Sequence, residues 1–498
     1  MSGKKGQACG KKRSSAQAKG EWTLEFLEHF RFLYDGVAYF FRAYFYYEKV
    51  LRYGDVPWYE QVIGSEEEEL LKKPREDRGI IMDHVMNDLK NAIEMLPREK
   101  DVARVTRWSA LALKSRIALY EGTWRKYRGL PDADKYLQQA ADAAATFIAE
   151  SGYSLYKEGT EPYRDLFCSD DAKQSEVILA RLYNFEGLNL AHSVQFNIRN
   201  AATGFTRRFM NHYLMADGSR FTEKEGHETM FYTEETAGRD PRMAQTVLCP
   251  GYVAKGESAA TPNDMTSMTG YEPIKFVSTA AHSGASKGTA DWPLLRTAEV
   301  YLNYAEAKAE LGTLTQADID LSIKKLRDRV GMPNLDMDHA NANPDPYLSA
   351  PETGYPNVTG SNKGVLLEIR RERTIELLQE GHRYYDLIRW KEGKAFTQPL
   401  LGLYIPSKGE YDLDGDGTPD IYLKTKGETP STKAPLIMEI DQDIFLSEGD
   451  HGYISPHKKN PGEWNEARDY YYPIPTDDRS LTGGALTQNP GWNDGLDF

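Results

Sequence analysis

Paired segments of helical spacing are the feature that most constrains the fold of this 498-residue chain. Apolar residues recur at intervals of three and four over 104–120 and 134–148, and again over 294–311 and 316–330. Each pair has the roughly 34 to 40 residues of a tetratricopeptide unit, in which two helices form one hairpin. Because a lone helix hairpin cannot bury both faces, at least three such units should stack. The spacing predicts a mainly α, tetratricopeptide-like helical-repeat scaffold.

Segments without helical period predict irregular insertions, loop-rich and with short strands, at 152–291, 332–363 and 392–470. We expect a single domain over 21–498, with helical repeats at about 22–151, 294–331 and 364–391. A C-terminal strap at 471–498, anchored by its prolines and tryptophan, completes it. Residues 1–20 are basic and rich in Gly and Ser, which predicts a disordered tail.

The stretch 366–391, LLEIRRERTIELLQEGHRYYDLIRWK, places many charges in an apolar helical frame. Leu366, Ile369 and Ile375 define the apolar face, the charged run 370–373 interrupts it, and Gly381 supplies a left-handed stop. Because the charges fall on the apolar face itself, we expect buried or half-buried ion pairs that fix the register of the last repeat. We expect the ligand to bind elsewhere.

The order of residues in this stretch is E-I-R-x-E-R-x-x-E-L-x-x-E-G-H-R-x-x-D-L-I-R-W, and it resembles the signature of the SusD/RagB family of outer-membrane glycan-binding lipoproteins. Further resemblances to that family lie at 40–58, 104–122, 239–242, 293–312, 472–475 and 488–492, so they run through most of the chain. The resemblance implies a non-enzymatic, starch-binding SusD-like protein on the cell surface. It also implies a TonB-dependent SusC-like transporter as the partner to which oligosaccharides are delivered.

The family is exported and held at the outer membrane by a lipid on an N-terminal cysteine. The opening residues of this chain lack the apolar core of a secretory signal, and no hydrophobic segment precedes Cys9 in Q-A-C-G. We therefore expect that the signal peptide and the lipidation cysteine are missing from this sequence.

Composition narrows the class of ligand. With 61 Lys and Arg against 75 Asp and Glu, the net charge of -14 disfavours a nucleic acid and is more compatible with a neutral ligand. The three cysteines have no metal-ligand spacing, and no run of 18 apolar residues predicts a transmembrane helix. Metalloprotease, serine-hydrolase and phosphate-loop motifs are also absent, so we expect no catalytic residues and no required cofactor.

Sugar binding requires aromatic platforms on loops, beside polar groups that satisfy the sugar hydroxyls. Among 31 Tyr and 8 Trp we predict ligand contacts for Trp58, which follows the G-D-V-P loop, and for Tyr271 in the first insertion. Two alternatives stay open: a glycan-active enzyme, and a tetratricopeptide protein-interaction scaffold without sugar binding.

The sharpest local motif is an acidic loop that resembles the first part of a calcium loop. Its carboxylates, Asp412, Asp414, Asp416 and Asp420, occupy positions 1, 3, 5 and 9, and Gly417 is at position 6. Leu423 replaces the bidentate glutamate of position 12. We expect a structural calcium if another acid or a backbone carbonyl completes the shell, and an acidic turn between strands otherwise.

Overall fold

The computed structural model describes residues 24–459, 462–493 and 495, so the predicted tail at 1–20 lies outside the described residues. The described chain is mainly helical, which confirms the predicted fold class. Its helices are α1 (Leu24–Tyr53), α2 (Glu68–Leu71), α3 (Arg78–Met95), α4 (Arg107–Lys126), α5 (Ala133–Glu150), α6 (Pro162–Cys168), α7 (Val194–Asn200), α8 (Arg207–Met210), α9 (Tyr232–Glu235), α10 (Thr297–Glu310), α11 (Gln316–Leu321), α12 (Ile323–Arg329), α13 (Met337–Ala342), α14 (Pro346–Ser349), α15 (Lys363–Glu376), α16 (Arg383–Arg389) and α17 (Thr476–Leu481). Its strands are β1 (Val177–Arg181), β2 (Trp292–Arg296), β3 (Tyr404–Ile405), β4 (Gly409–Tyr411), β5 (Ile421–Lys424), β6 (Leu436–Glu439) and β7 (Gly452–Tyr453).

The scaffold is a stack of helix pairs: α1 packs against α3, α4 against α5, and α10 against both α5 and α15. The hydroxyl of Thr106 accepts the Ser109 backbone N–H, and the Ser109 hydroxyl accepts that of Thr106, which forms a capping box at the start of α4. The helix expected over 104–120 accordingly begins at Arg107. Among the described residues, none of the helices combines the length and hydrophobicity that a bilayer crossing needs.

The helix predicted from residue 294 begins instead at Thr297. Residues 292–296 form β2, which pairs antiparallel with β1 so that Arg296 lies opposite Val177. The helix predicted over 316–330 is divided at Ser322, whose backbone (φ -123°, ψ -86°) leaves the helical region. The spacing of residues 294–296 is compatible with a helix, but their strand pairs with β1 and its backbone hydrogen bonds are satisfied there, so α10 begins after them.

The first and third insertions share one hydrophobic core, which Ile375 of α15 joins. Its buried residues include Phe205, Met210, Tyr213, Val247, Tyr271, Leu403, Ile405, Leu413, Ile421 and Leu446. Short strands surround it: β3 pairs antiparallel with β7, β4 pairs antiparallel with β5, and β5 pairs parallel with β6. The insertions thus pack on the scaffold as an organised body.

The C-terminal strap lies on the end of α1 and on the segment between α2 and α3. The Tyr472 N–H donates to the Arg52 carbonyl at 2.7 Å, and Arg75 donates to the side chain of Asn489 at 2.6 Å. A Cβ on Gly54, which has φ +72°, would come within 2.9 Å of the Tyr471 ring. This close approach explains the glycine after α1.

The charges of α15 are buried and paired, as predicted. Glu372 accepts from Arg327 at 2.7 Å and from Arg242 at 3.0 Å. Glu376, with no exposed surface, accepts from Arg329 at 2.6 Å and from Arg296 at 2.8 Å. These partners come from the first insertion, from β2 and from α12, so the network joins the repeats to the insertions.

Candidate functional site

Two adjoining cavities of about 330 Å³ and about 450 Å³ lie where the insertions meet the turn between α15 and α16. They share Arg208, Gln398 and Pro399, and together they form the site named here the insertion cleft. Its walls come from segments 204–212, 222–228, 347–353, 373–387 and 395–401 and from Tyr453. All three insertions contribute, and so does the stretch that we expected to lie away from the ligand.

Helix α8 sets the floor of the cleft. The Thr206 hydroxyl accepts the Phe209 N–H at 3.2 Å and caps the helix, while the Arg207 N–H donates to the Leu401 carbonyl at 2.7 Å. The guanidinium of Arg207 is buried and pairs with Glu235. Because Arg207 is fixed in this way, its neighbour Arg208 and the ring of Phe209 line the cavity.

Tyr271 lies beneath this floor and has no exposed surface. Its hydroxyl donates to Glu235 at 2.8 Å and accepts from Arg207 at 3.2 Å. A ring without an exposed face cannot stack on a sugar, so the expectation of direct ligand contact at Tyr271 is corrected. In this structure the side chain supports Arg207 and thereby α8.

Two side-chain carbonyl groups of the cleft lack hydrogen-bond partners among the described residues. Asn211 is only 6% exposed; its Nδ2 donates to the Tyr347 hydroxyl at 3.1 Å, but its Oδ1 is unpartnered. The Oε1 of Gln379 is also unpartnered, and Gln379 adopts the left-handed φ of +58° in the turn after α15. A buried acceptor without a donor costs about 1–3 kcal/mol, a cost that a ligand hydroxyl removes.

Three half-buried rings, those of Phe209, Tyr347 and Tyr453, line the same cleft. Tyr453 is held from behind by an edge contact with Tyr404, whose ring centroid is 5.4 Å away, and its hydroxyl donates to the Glu228 carbonyl at 2.6 Å. The cleft therefore combines flat apolar faces with unpartnered polar atoms, as a site for a polyhydroxylated ligand requires.

Two arginines, Arg208 and Arg383, border the smaller cavity and are fixed by neighbouring residues. Arg208 donates to the carbonyls of Thr353 at 2.8 Å and Gly354 at 3.3 Å. Arg383 donates to the Tyr355 hydroxyl at 2.8 Å. Both guanidinium groups are thus anchored on one three-residue loop.

The titratable groups around the cleft do not form a proton-transfer pair. Burial lowers the pKa of His382 to about 4 and places that of His212 well below its usual value, so both are neutral at pH 7. Burial raises the pKa of Glu392 to about 7, but this carboxyl does not line either cavity. The carboxylate of Asp386 is engaged by Arg373 at 2.8 Å.

Trp58 is packed in the scaffold core and is 5% exposed. One face stacks on His84, with ring centroids 4.7 Å apart, and both the Tyr46 ring, at 4.2 Å, and the Arg42 guanidinium, at 4.9 Å, also cover it. The expectation that Trp58 presents a platform is therefore corrected as well. The loop instead presents Tyr59 to a separate apolar cavity of about 280 Å³.

The acidic loop brings together three of its four predicted ligands. Carboxylate oxygens of Asp412, Asp414 and Asp420 lie within 4.8 Å of one another, whereas Asp416 is outside this group. Burial and the neighbouring carboxylates raise the pKa of Asp414 and of Asp420. Leu423 is fully buried in β5, so it leaves position 12 without an oxygen ligand. Three converging carboxylates suit a hard cation, and calcium here stays a prediction.

Sequence reasoning did not find Asn211, Phe209, Tyr347 or Tyr453. They lie in short elements without helical or strand period, and no motif surrounds Asn211. Arg383 and the other cleft residues at 373–387 belong to the stretch 366–391, for which a structural role was predicted and not a ligand-binding one.

A helical-repeat scaffold whose insertions build a cleft is an architecture suited to binding. The model of the SusD family matches residues 191–492, and a second family model, described as starch-binding and associating with the outer membrane, matches residues 24–119. The chain belongs to the SusD family.

Individual relatives are distant. SusD-like protein P38 of Formosa agariphila is 24% identical over 403 residues, which cover 74% of this chain and 69% of that protein. The crystal structure of a SusD-like protein from Bacteroides fragilis superposes with a TM-score of 0.64 at 23% identity, covering 92% of this chain and 79% of the other. A SusD-like carbohydrate-binding protein from the same species has a TM-score of 0.62 at 18% identity, with 90% and 78% covered. At these identities the two structures establish a shared fold.

Proposed function

We propose that this protein binds an oligosaccharide in the insertion cleft, at the outer-membrane surface, and delivers it unchanged to a TonB-dependent SusC-like transporter. Membership of the SusD family supports the proposal, as does the family model described as starch-binding and associating with the outer membrane. A lipid anchor would hold the protein there. Because SusD-family proteins bind carbohydrate, no catalytic step is invoked.

The observation that carries the binding site is the buried, unpartnered Oδ1 of Asn211 beside the rings of Tyr347 and Tyr453. A folded chain rarely leaves a buried acceptor unsatisfied unless it serves a ligand or water. A pyranose would place its hydroxyls on such acceptors and its C–H face on a ring.

The test is to replace Asn211 by Leu and measure retention in affinity gels over a panel of oligo- and polysaccharides. We expect affinity for the bound glycan to fall about tenfold, which corresponds to loss of one hydrogen bond to a buried partner. The matched control is Asn334→Leu, which changes an asparagine in a different cavity of about 430 Å³. Equal retention by wild type and Asn211→Leu would place the glycan outside the cleft.

For the transporter we propose the exposed face of α1 as the docking surface. Tyr34, Phe41 and Phe45 are 64%, 52% and 54% exposed, and their spacing of seven and four residues puts them on one side of the helix. Aromatic residues are enriched at protein interfaces, and this helix falls within the segment matched by the outer-membrane family model.

Co-purification with a SusC-like barrel from the same organism tests this surface. The double change Phe41→Ser and Phe45→Ser should abolish co-purification while glycan binding stays intact. Phe185→Ser, which alters a 49% exposed aromatic elsewhere, is the control. Undiminished co-purification of the double variant would assign the contact to another face.

The two alternatives predict different outcomes. A glycan-active enzyme would release reducing ends from the panel and lose that activity on changing Glu228 or Glu352, the carboxylates that line the larger cavity. A protein-interaction scaffold would bind peptides and retain no glycan.

A further inference from the structure

The arginines of the smaller cavity differ from most buried arginines of this protein because, among the described residues, no carboxylate lies within ion-pair distance of them. Neither Arg208 nor Arg383 makes an ion pair with any described residue; their donors meet carbonyl and hydroxyl oxygens only. Both are half-buried and border the same 330 Å³ space.

Other charges near this cavity are already engaged. Arg373 is paired with Asp386, whose carboxylate also accepts from Arg389 at 3.0 Å. Glu392 is buried outside the lining, 3.5 Å from Arg370; its charge also acts on Arg208 and Arg383, but it pairs with neither, and burial raises its pKa to about 7. With both histidines neutral, the lining of this cavity carries excess positive charge.

Two cations held close together in a partly dry cavity destabilise each other. Burial lowers the pKa of Arg208, and the nearby charge of Arg383 lowers it further. The structure maintains this arrangement by fixing both side chains on the 353–355 loop rather than by supplying a carboxylate. An anion would supply the missing counter-charge, and the planar guanidinium fork matches the oxygens of a carboxylate or sulfate.

We propose that the insertion cleft selects a glycan bearing an acidic group, the carboxylate of a uronic acid or a sulfate ester, which Arg208 and Arg383 bind. This inference rests on the proposed glycan-binding function and sharpens its ligand class. It also departs from the neutral ligand suggested by the net charge of -14, because the charge that a bound group meets is that of the cavity lining.

The first experiment uses the unaltered protein and matched ligand pairs. Calorimetry compares oligogalacturonate with its methyl ester for the carboxylate, and carrageenan oligosaccharides with neutral agaro-oligosaccharides for the sulfate. We expect one acidic member to bind roughly 10- to 100-fold tighter than its neutral counterpart, since hydrogen bonds to charged groups have that strength. Affinity for the acidic member should also fall as salt rises.

The second experiment locates the preference. Arg208→Gln and Arg383→Gln should each lose about tenfold in affinity for the acidic ligand while leaving the neutral one within about twofold. Arg383→Lys, which keeps the charge without the fork, should recover part of the loss. Arg104→Gln, which removes the same charge from a side chain 84% exposed, controls for non-specific attraction.

The outcomes separate the two proposals. If neutral members bind as tightly as acidic ones, the acidic selectivity is wrong and glycan binding stands. If no oligosaccharide of either kind binds, both proposals fail. If Arg104→Gln lowers acidic affinity as much as the cleft variants do, the arginine pair is not the binding site.

Discussion

Arginines occur both in the ion-pair network around α15 and in the lining of the insertion cleft, but they have different partners in the two places. At Glu376 three arginines from three segments converge on one carboxylate, and every partner is buried. At Arg208 and Arg383 the guanidinium groups meet only neutral oxygens. Charges that are compensated inside the chain hold segments together, whereas charges left uncompensated beside a cavity indicate a ligand of opposite sign.

The largest expected effect comes from breaking the compensated side of this comparison. Glu376→Gln leaves the guanidinium groups of Arg329, Arg296 and Arg242 without their shared counter-charge. We expect the free energy of unfolding to fall by about 3–5 kcal/mol, as it does when one partner of a buried pair is removed. Urea denaturation followed by circular dichroism measures it.

The control for that prediction is Glu68→Gln, which removes an exposed i,i+4 pair with Lys72 on α2. It should change stability by less than about 1 kcal/mol. Similar losses for the two variants would mean that the α15 network has no special role in joining the scaffold to its insertions.

The same network makes stability depend on acid pH. Burial alone would raise the pKa of Glu376, but Arg329, Arg296 and Arg242 lower it to about 2; Arg116 likewise lowers that of Glu299 to about 2. Because these folded-state pKa values lie below the unfolded value of about 4.3, the stabilisation is complete above pH 4.5 and is lost as the pH falls toward 2. Unfolding midpoints measured from pH 7 to pH 2.5 should show this decline, with a shallower slope for Glu376→Gln. A flat profile would contradict the pairing.

The paired region could be predicted from sequence and the cleft could not, for a physical reason. In 366–391 the charges interrupt an apolar helical face, so burial follows from periodicity and pairing follows from burial. The strap at 471–498 could likewise be predicted, because its prolines restrict the chain locally and its tryptophan favours an anchored position.

The insertions have no helical or strand periodicity from which buried residues could be distinguished from exposed ones. Trp58 and Tyr271 were chosen because they lie in loops, but these loops fold into two different cores, and both rings are covered. Conversely, Asn211 is defined by an absence of partners, which only the packing of distant segments reveals. Gly381 has the predicted left-handed φ of +83°, but α15 ends earlier, at Glu376, and Gln379 already adopts a left-handed φ of +58° in the turn that forms part of the cleft wall.

The acidic loop extends the comparison to a cluster of the opposite sign. Asp412, Asp414 and Asp420 converge without an ion-paired base among the described residues. If calcium completes the group, saturating calcium should raise the free energy of unfolding by about 1–3 kcal/mol, and a chelator should reverse the gain. Asp412→Asn should remove the response, whereas Asp416→Asn, outside the cluster, should keep most of it. Identical unfolding curves with calcium and with chelator would identify the loop as an acidic turn.

The smallest expected effect is the stability change on the uncompensated side. Arg383→Gln removes donors that meet only the Tyr355 and Thr374 hydroxyls at a half-buried position, and it also relieves repulsion from Arg208. These contributions oppose one another, so the free energy of unfolding should stay within about 1 kcal/mol of the wild type. Urea denaturation without ligand measures it beside Glu376→Gln. A loss as large as that of Glu376→Gln would show that Arg383 serves the fold, and the contrast between compensated and uncompensated arginines would no longer mark the binding site.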